Sequence, residues 1–331
     1  MKSINMKLRL LAMSFMMFLF SCTDIDQFID RIEPSLITVD RNVLWPAWEK
    51  TLGTKDTIQF MAWSGITHAF EDHSRIIFEP KSFYLDGQPL PNKVVTLVII
   101  RAYKKNQMVR NLISTNSEKA VLESAGMMHV EAFCDGKPLT LAPGKNYTIQ
   151  IPVKDASLVN PNMEMFYGEE TRFGINWVEA DQNPSIADNV FVTEWQIRDS
   201  SGGGFVVGIE CFPERLNWVN CDYFLKFENR DKTEPCIEIE ASGANDKITV
   251  STFCVFHDLN VVIAPCCEAS NAKVCFSSLP IGEKVTYIVL GKGKTDYYLG
   301  HFSSEIYKDE VVKIDIKSIS LDDLKYFLSK L

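Results

Sequence analysis

The sequence predicts a mainly β protein that consists of two antiparallel β-sandwich domains and one short C-terminal helix. Strand-like runs recur at a spacing of roughly 8–12 residues and are separated by Gly, Pro and Asp turns, which is typical of sandwiches. The run Lys145–Pro152 alternates apolar and polar residues with the period of a half-buried strand. Removal of residues 1–21 from the 331-residue chain leaves 310 residues, too many for one ordinary sandwich and enough for two.

The N-terminal leader has the pattern of a bacterial lipoprotein signal. Three basic residues precede the apolar run Leu10–Phe20. This run has the length of a signal-peptide core, whereas a membrane span needs about 20 apolar residues. It ends in Leu-Phe-Ser-Cys, which resembles a lipobox with Cys22 as the lipidated cysteine. The sequence therefore predicts a signal peptide over residues 1–21 and a lipoprotein of the outer membrane, held by acyl chains such as palmitate on its periplasmic or cell-surface face.

The charge balance restricts the partners of the mature protein. Loss of the leader reduces the 34 Lys and Arg residues to 31 against 43 Asp and Glu, which gives a net charge of −12. Nucleic-acid binding requires a basic face that displaces counterions from phosphates, so we expect no nucleic-acid partner. The negative charge also opposes adsorption to anionic lipid head groups, which leaves the acyl chains as the membrane attachment.

The chain contains nine cysteines. Lipidation of Cys22 leaves eight, an even number that permits disulfides in an exported protein. The apolar surroundings of Cys254 and the strand-like sequences beside Cys236 and Cys275 favour small buried thiols instead, so the pairing stays open. The absence of C-x-x-C spacing predicts no metal site.

Residues 22–54 are predicted to form the lipidated N-terminus and a linker. Asp24, Asp26 and Asp30 follow the lipidated cysteine closely. A solvated linker explains them on composition. They also resemble the surface-export signal of lipoproteins from Bacteroidota, which implies display on the cell surface.

Two tryptophans near the end of this linker are candidate ligand-binding residues. Trp45 and Trp48 lie on either side of Pro46, which disfavours regular structure. The pair fits a sugar-stacking platform, but a hydrophobic plug that docks on the first domain is the favoured interpretation.

The first sandwich is expected over residues 55–200. Its strongest strand signal is Lys93–Tyr103, which is apolar on both faces and therefore predicts a central strand covered on both sides. Shorter strand-like runs complete the domain: Arg75–Glu79, Met108–Thr115, Ala120–Gly126, Met127–Cys134 and Pro138–Leu141.

A series of turn motifs in this region carries a resemblance to a known family. The motifs are Phe-Glu-Pro-x-Ser-Phe at 78–83, Asp-Gly-x-Pro at 86–89, Leu-Glu-Ser-Ala-Gly-Met at 122–127 and Asp-Gly-x-Pro-Leu-x-Leu-Ala-Pro-Gly-Lys at 135–145. They resemble uncharacterised envelope lipoproteins of Bacteroidota, over roughly residues 55–180. That family implies an N-terminal β-sandwich similar to ZU5 or carboxypeptidase-regulatory-like domains, and no catalytic residues.

A second β-rich domain is predicted over residues 201–331, after the Ser- and Gly-rich segment Asp199–Gly204. The apolar positions after Ser320 have helical spacing, which predicts a C-terminal helix with Ser320 as its N-cap. The strand-like runs before it are Phe205–Phe212, Cys236–Ala241, Lys247–Phe256, Asn260–Pro265, Lys284–Leu290, Tyr297–Ser303 and Val311–Ile316.

No segment has the complete pattern of a catalytic or cofactor-binding site. Gly293-Lys294-Thr295 resembles the end of a phosphate-binding loop, but it lacks the upstream glycine and predicts a hairpin turn. His68 and His73 lie in a polar loop without the helical frame of a zinc site. His129 and Glu131 share a strand face by period two, as an exposed polar face would. The sequence therefore predicts no catalytic residue, metal or cofactor.

The favoured function is non-enzymatic binding or a structural role at the cell envelope, with a glycan or an outer-membrane protein as partner. Two alternatives stay open: an envelope hydrolase whose residues converge only in the folded chain, and an accessory subunit of an outer-membrane complex. Thr57, in the segment Asp56-Thr57-Ile58, is a candidate O-glycosylation site because this segment is similar to the Bacteroidota acceptor pattern.

Overall fold

The computed structural model describes residues 36–180, 190–197, 203–227, 230–242, 246–270 and 272–331. The signal peptide, Cys22 and the three aspartates that follow it lie outside the described residues. Residues Leu36–Leu331 form one compact unit. Among the described residues, no helix has the length and apolar character needed to cross a membrane.

The protein is mainly β, as the sequence predicts. The helices of the described residues are α1 (Arg41–Glu49), α2 (Lys105–Arg110) and α3 (Leu321–Ser329), with a 3₁₀ turn at Ala156–Leu158. The strands before residue 230 are β1 (Ile37–Val39), β2 (Asp56–Met61), β3 (Ile66–Ala69), β4 (Arg75–Phe78), β5 (Phe83–Leu85), β6 (Gln88–Pro89), β7 (Val94–Ala102), β8 (Leu122–Cys134), β9 (Lys137–Pro138), β10 (Thr140–Leu141), β11 (Thr148–Pro152), β12 (Glu164–Glu170), β13 (Ile175–Glu179), β14 (Val190–Ile197), β15 (Gly204–Cys211) and β16 (Asn217–Phe224).

The strands after residue 230 complete the set. They are β17 (Lys232–Thr233), β18 (Cys236–Glu240), β19 (Ile248–Phe256), β20 (Val262–Ile263), β21 (Cys267–Ser270), β22 (Lys273–Cys275), β23 (Leu279–Pro280), β24 (Lys284–Lys292), β25 (Tyr297–Glu305), β26 (Val311–Asp315) and β27 (Lys317–Ile319).

Four sheets are stacked through three hydrophobic cores. The central sheet has the antiparallel order β13-β12-β16-β8-β7-β2, and one of its faces packs on the sheet β14-β15-β11-β4-β3. Its other face packs on the three helices and on the sheet β1-β19-β24-β25-β27. The far side of that third sheet forms the last core with the sheet β21-β22-β18-β26.

Strand β7 contributes apolar side chains to two different cores, one on each face of the central sheet. Val95, Leu97 and Ile99 belong to the first core, whereas Ile100 and Ala102 belong to the second. The strand lies between β8 and β2, one position from the sheet edge. The predicted two-sided burial is therefore found, and the strand is less central than its sequence suggests.

The C-terminal helix α3 is confirmed together with its cap. The hydroxyl of Ser320 accepts a hydrogen bond from the backbone N–H of Asp323 at 3.1 Å, which satisfies one of the free amides of the first turn. Leu324 and Leu328 are buried on one face and contribute to the second core. The helix therefore forms because its apolar face has a sheet to pack against.

Two segments have a secondary structure that differs from the prediction. Helix α1 continues through Pro46, because the carbonyl that the missing N–H leaves free belongs to the exposed residue Asn42, where water can bind it. Helix α2 occupies part of the predicted strand Met108–Thr115. The side chain of Gln107 accepts hydrogen bonds from the N–H groups of Tyr103 and Lys104, and this capping favours a helical turn.

The strands around residue 200 connect the two halves of the chain. Strand β14 pairs with β15 along its whole length, and the predicted boundary between residues 200 and 201 lies between these paired strands. Strand β15 then pairs with β11, and β16 pairs with β8 and β12, all of which come from the first half. The segment after the boundary thus completes the first sandwich.

The cysteines have three different environments in the described chain. Cys254 is a buried free thiol, as its sequence predicts. Cys236 and Cys275 form a disulfide, so their prediction as free thiols is wrong. The cause is strand register, because the two residues lie directly opposite each other on β18 and β22. The other described thiols are buried at Cys134, Cys211 and Cys221 and exposed at Cys266 and Cys267.

Candidate functional site

A cleft of about 480 Å³ lies over the face of the central sheet against which helix α1 packs. We call it the sheet cleft. Its walls combine aromatic, acidic and small residues from α1, β7, β8, β12 and β16. The lining residues are Trp45, Glu49, Val98, Ile100, His129, Glu131, Gly168, Glu170, Asn217 and Trp218.

The floor of the sheet cleft is one row of residues across four neighbouring strands. His129 on β8 lies opposite Ile100 on β7 and opposite Trp218 on β16. Gly168 on β12 continues the row, since a Cβ atom at this glycine would come within 2.6 Å of the Cβ of Trp218. Because residues two apart share a face of a strand, Glu131 and Glu170 rise on the same side as this row.

A buried arginine holds one wall of the cleft. Arg41 is 1% exposed, and its Nε donates to the carbonyl of Leu112 at 3.0 Å. Its Nη1 lies 3.2 Å from Oε2 of Glu170, and its guanidinium lies 5.4 Å from the ring centroid of Trp45. The other oxygen of Glu170, Oε1, accepts a hydrogen bond from Nε1 of Trp218 at 3.2 Å. Arg41 therefore links helix α1 to strand β12 and fixes the Glu170 carboxylate.

His129 is held in its neutral form at physiological pH. Burial lowers the pKa of His129 to about 4, with the charge of Arg41 acting in the same direction and that of Glu170 opposing it. The ring lies 4.5 Å from the Trp218 ring, and its Nδ1 has no hydrogen-bond partner within the described part of the chain. A neutral imidazole next to a cleft can accept or donate a hydrogen bond to a ligand.

The acidic side of the cleft consists of three glutamates from three elements: Glu49 on α1, Glu131 on β8 and Glu170 on β12. Burial raises the pKa of Glu131, the charges of Glu49 and Glu170 raise it further, and Lys55 opposes them. Lys55 also lies 3.5 Å from the Glu49 carboxylate. The cleft therefore presents several hydrogen-bond acceptors in a region of negative potential.

A second compartment of about 410 Å³ adjoins the sheet cleft. Glu131 and Asn217 line both spaces. The second space is lined by residues of β8, β9 and β10 and by the segment Glu214–Leu216. Arg215 lies 5.0 Å from the ring of Tyr167 in this region.

The structure places the candidate residues of the sequence in different environments. Trp45 lines the sheet cleft, whereas Trp48 is completely buried and donates its Nε1 hydrogen to the carbonyl of Arg110 at 2.9 Å. Thr57 is exposed on the edge strand β2, where a glycosyl group has room. Cys22 lies outside the described residues.

The remaining tryptophans are mostly structural. Trp177, Trp195 and Trp218 are at most 5% exposed, while Trp63 is 57% exposed and lies away from the cleft. The histidines of the polar loop have local contacts: His68 packs against Phe70 with ring centroids 4.8 Å apart. Within the described ranges, no group of three or more His, Cys, Asp or Glu residues has the arrangement of a metal site.

Sequence reasoning missed most of the acidic wall. Glu49, Glu170 and Asn217 gave no signal, because they come together only through sheet register and helix packing. His129 and Glu131 do share a strand face, but this face is half-buried under α1 rather than open to solvent. Their alternation along one strand is the signal that could have identified this site, although from the sequence it was interpreted as an exposed polar face.

The fold and the cleft define a class of protein: a β protein of stacked sheets with an acidic, tryptophan-lined groove on its central sheet. Comparison with known proteins finds no matching protein-family model, no similar curated protein and no similar solved structure.

Proposed function

We propose that this protein is a lipid-anchored envelope protein that binds a glycan in the sheet cleft without cleaving it. The observation that carries the proposal is the combination of Trp45 with three carboxylates in one concave space of about 480 Å³. Sugar rings present C–H groups that pack on aromatic faces, and their hydroxyls donate to carboxylates, so both parts of the wall have a role.

The charge of the cleft limits the glycan class. Glu49, Glu131 and Glu170 face the cationic groups Arg41 and Lys55, and Arg41 is already engaged with Glu170. A uronic acid or another anionic sugar would meet like charges in a partly desolvated space, which is unfavourable. Neutral or amino-sugar oligosaccharides fit this potential. The adjoining compartment of about 410 Å³ favours a chain of several sugars over a monosaccharide.

The binding proposal is tested with the mature protein carrying Cys22→Ala, which removes the acylation site and keeps the chain in solution. An array of neutral, amino-sugar and uronic-acid oligosaccharides identifies the ligand, and calorimetry measures its affinity. We expect Trp45→Ala and Glu131→Gln each to weaken binding about tenfold or more, which corresponds to ~1.4 kcal/mol. Glu131→Gln keeps the shape of the side chain and removes the charge of the acceptor.

Trp63→Ala is the matched control for the binding experiment. Trp63 is an exposed tryptophan outside the cleft, so its removal should leave the affinity unchanged. Equal losses in the Trp45 and Trp63 variants would place the glycan elsewhere. Failure of every array glycan to bind, with correctly folded protein, would contradict the proposal.

A hydrolase is the second candidate, and the raised pKa of Glu131 favours it. A carboxyl whose pKa is raised holds its proton more readily than an ordinary glutamate and can act as a general acid beside a second carboxyl group, and Glu49 and Glu170 line the same cleft. The same glycan decides between the candidates. New reducing ends during incubation with the wild type, absent with Glu131→Gln, would establish hydrolysis and overturn the non-enzymatic proposal.

The anchor is a separate part of the proposal, because it rests on the leader sequence alone. Cys22→Ala should abolish metabolic labelling with a radioactive or clickable palmitate and should release the protein from the membrane fraction. Protease treatment of intact cells then distinguishes surface display from a periplasmic location. Retention of the Cys22→Ala protein in the membrane fraction would show that the lipobox interpretation is wrong.

A further inference from the structure

Four cysteines gather at one end of the sheet β21-β22-β18-β26, which contributes no residue to the lining of the sheet cleft. Cys275 on β22 lies opposite Cys236 on β18, with which it forms a disulfide, and opposite Cys267 on β21. Residues directly opposite each other on paired strands project to the same face of a sheet. The three cysteines therefore form a row across three neighbouring strands, with Cys275 in the middle.

The orientation of this row follows from its neighbours. Val274 and Ile237 are paired across the same strands and belong to the third core. Because successive residues of a strand point to opposite faces, the cysteine row lies on the outer face of the sheet. Cys275 is only 8% exposed, whereas Cys267 is an exposed free thiol.

The fourth cysteine, Cys266, lies beside Cys267 at the outer end of the row. The Sγ of Cys266 lies 3.0 Å from the Sγ of Cys267 and 3.3 Å from the carbonyl oxygen of Cys275. Burial raises the pKa of Cys266 to about 12, and its hydrogen bond with Cys267 adds to this effect. Cys266 thus favours its protonated form while Cys267 is a free thiol, and it must lose this proton before it can act as a nucleophile.

We propose that these four cysteines form a thiol–disulfide exchange site in which Cys267 is the nucleophile and Cys266 the resolving thiol. Exchange requires a thiolate that approaches a disulfide sulfur along the axis of the S–S bond. The strand order provides the side of approach, because Cys267 lies on the side of Cys275 that is opposite to Cys236.

The exchange balances without an external oxidant. In the first step Cys267 Sγ attacks Cys275 Sγ, the Cys267–Cys275 bond forms, and Cys236 leaves as a thiolate that takes up the proton released from Cys267. In the second step Cys266 attacks Cys267, the Cys266–Cys267 bond forms, and Cys275 leaves as a thiol. Two electrons pass from the exposed pair to the Cys236–Cys275 pair. The oxidised pair is then at the protein surface, where external thiols have access.

The sequence makes the exchange measurable by peptide mapping. Trypsin places Cys236, the Cys266–Cys267 pair and Cys275 on three different peptides, because it cleaves after Lys232, Lys247, Lys273 and Lys284. The mature protein is incubated at pH 8 without oxygen or reductant, quenched in acid, blocked with N-ethylmaleimide in denaturant and digested. We expect maleimide on Cys236 together with a Cys267–Cys275 linked peptide and a Cys266–Cys267 disulfide, next to the original Cys236–Cys275 link.

Two serine variants assign the roles. Cys267→Ser should lose both the new link and the maleimide on Cys236 completely, while Cys266→Ser should retain both and lose the Cys266–Cys267 disulfide. Both changes are at exposed residues, and far-UV circular dichroism checks the fold. Absence of maleimide on Cys236 in the wild type, or an equal amount in the Cys267→Ser protein, would overturn the proposal. Loss of all exchange in Cys266→Ser would overturn the assigned roles.

Discussion

Replacement of Asp222 by asparagine should raise the free energy of unfolding at pH 7 by about 3 kcal/mol. Asp222 lies on β16 with no exposed surface, and burial raises its pKa to about 8 from an ordinary value of 3.8. The folded protein must therefore retain a proton that the unfolded chain releases. This proton uptake lowers the free energy of unfolding by about 4 kcal/mol at pH 7. Asparagine needs no proton, but its hydrogen bonds match the site less well, which lowers the free energy of unfolding by about 1 kcal/mol.

The pH dependence identifies the cause of this gain. A carboxyl whose pKa is raised by folding contributes its full stability below the unfolded pKa, and the contribution is lost as the pH rises toward the folded pKa. The advantage of Asp222→Asn over the wild type should therefore be close to zero or negative at pH 4 and increase up to pH 8. Urea unfolding at several pH values measures it. The matched control Asp231→Asn changes an exposed carboxyl and should have little effect.

His129 has the opposite pH dependence. In the wild type its contribution to stability therefore partly cancels that of Asp222 between pH 4 and 6.5. The pKa of His129 falls on folding from 6.5 to about 4, so the unfolded chain takes up a proton first and stability decreases as the pH falls from 6.5 to 4. Between pH 6.5 and 4 the contribution of Asp222 to stability increases as the pH falls. In Asp222→Asn this opposing contribution is removed, so stability should rise more steeply with pH between 4 and 6.5 than in the wild type. A gain from Asp222→Asn that is independent of pH would contradict the protonated carboxyl.

Replacement of Arg41 by methionine should reduce the free energy of unfolding by about 2–3 kcal/mol. Methionine retains the apolar stem of the side chain and removes the hydrogen bonds to Leu112 and Asn42 and the ion pair with Glu170. Loss of one partner of a fully buried pair costs roughly 3–5 kcal/mol. The side chain of Glu170 is 49% exposed and can return to water, which lowers the expected cost.

Arg172→Met is the matched control for the Arg41 variant. Arg172 also pairs with carboxylates, Asp40 and Glu268, but its side chain is 45% exposed. Ion pairs in contact with water contribute roughly 0–1 kcal/mol, so this change should be nearly neutral. Both variants are compared by urea unfolding at pH 7 and at high salt. An equal decrease in the free energy of unfolding in the two variants would show that burial does not account for the contribution of Arg41 to stability.

The sequence predicts the parts of this fold that depend on local pattern. Alternation along Lys145–Pro152 and the apolar run at Val94–Ala102 identify strands, and Ser320 marks the start of a helix, because each is a property of neighbouring residues. Helix α1 was not predicted, since Pro46 opposes it locally and the burial of Leu44 and Trp48 between two sheets stabilises it. Tertiary packing here outweighs intrinsic propensity.

The candidate site and the disulfide could not be predicted for a related reason. Cys236 and Cys275 are 39 residues apart, and their pairing depends on which strands are neighbours and in what register. The glutamates of the sheet cleft come from α1, β8 and β12, three elements that are distant in sequence. A pattern within a short window contains no information about such contacts. The alternating pair His129 and Glu131 was visible, but its exposure was not.

Strand β8 gives the sheet cleft a property that loop-based sites lack. Its 13 residues pair with β7 on one side and β16 on the other, and residues next to His129 belong to the cores. Backbone amides in such a strand exchange with solvent only when the whole domain opens. A glycan bound as we propose would therefore meet a preorganised surface, and little of its binding energy would be lost to conformational entropy of the floor.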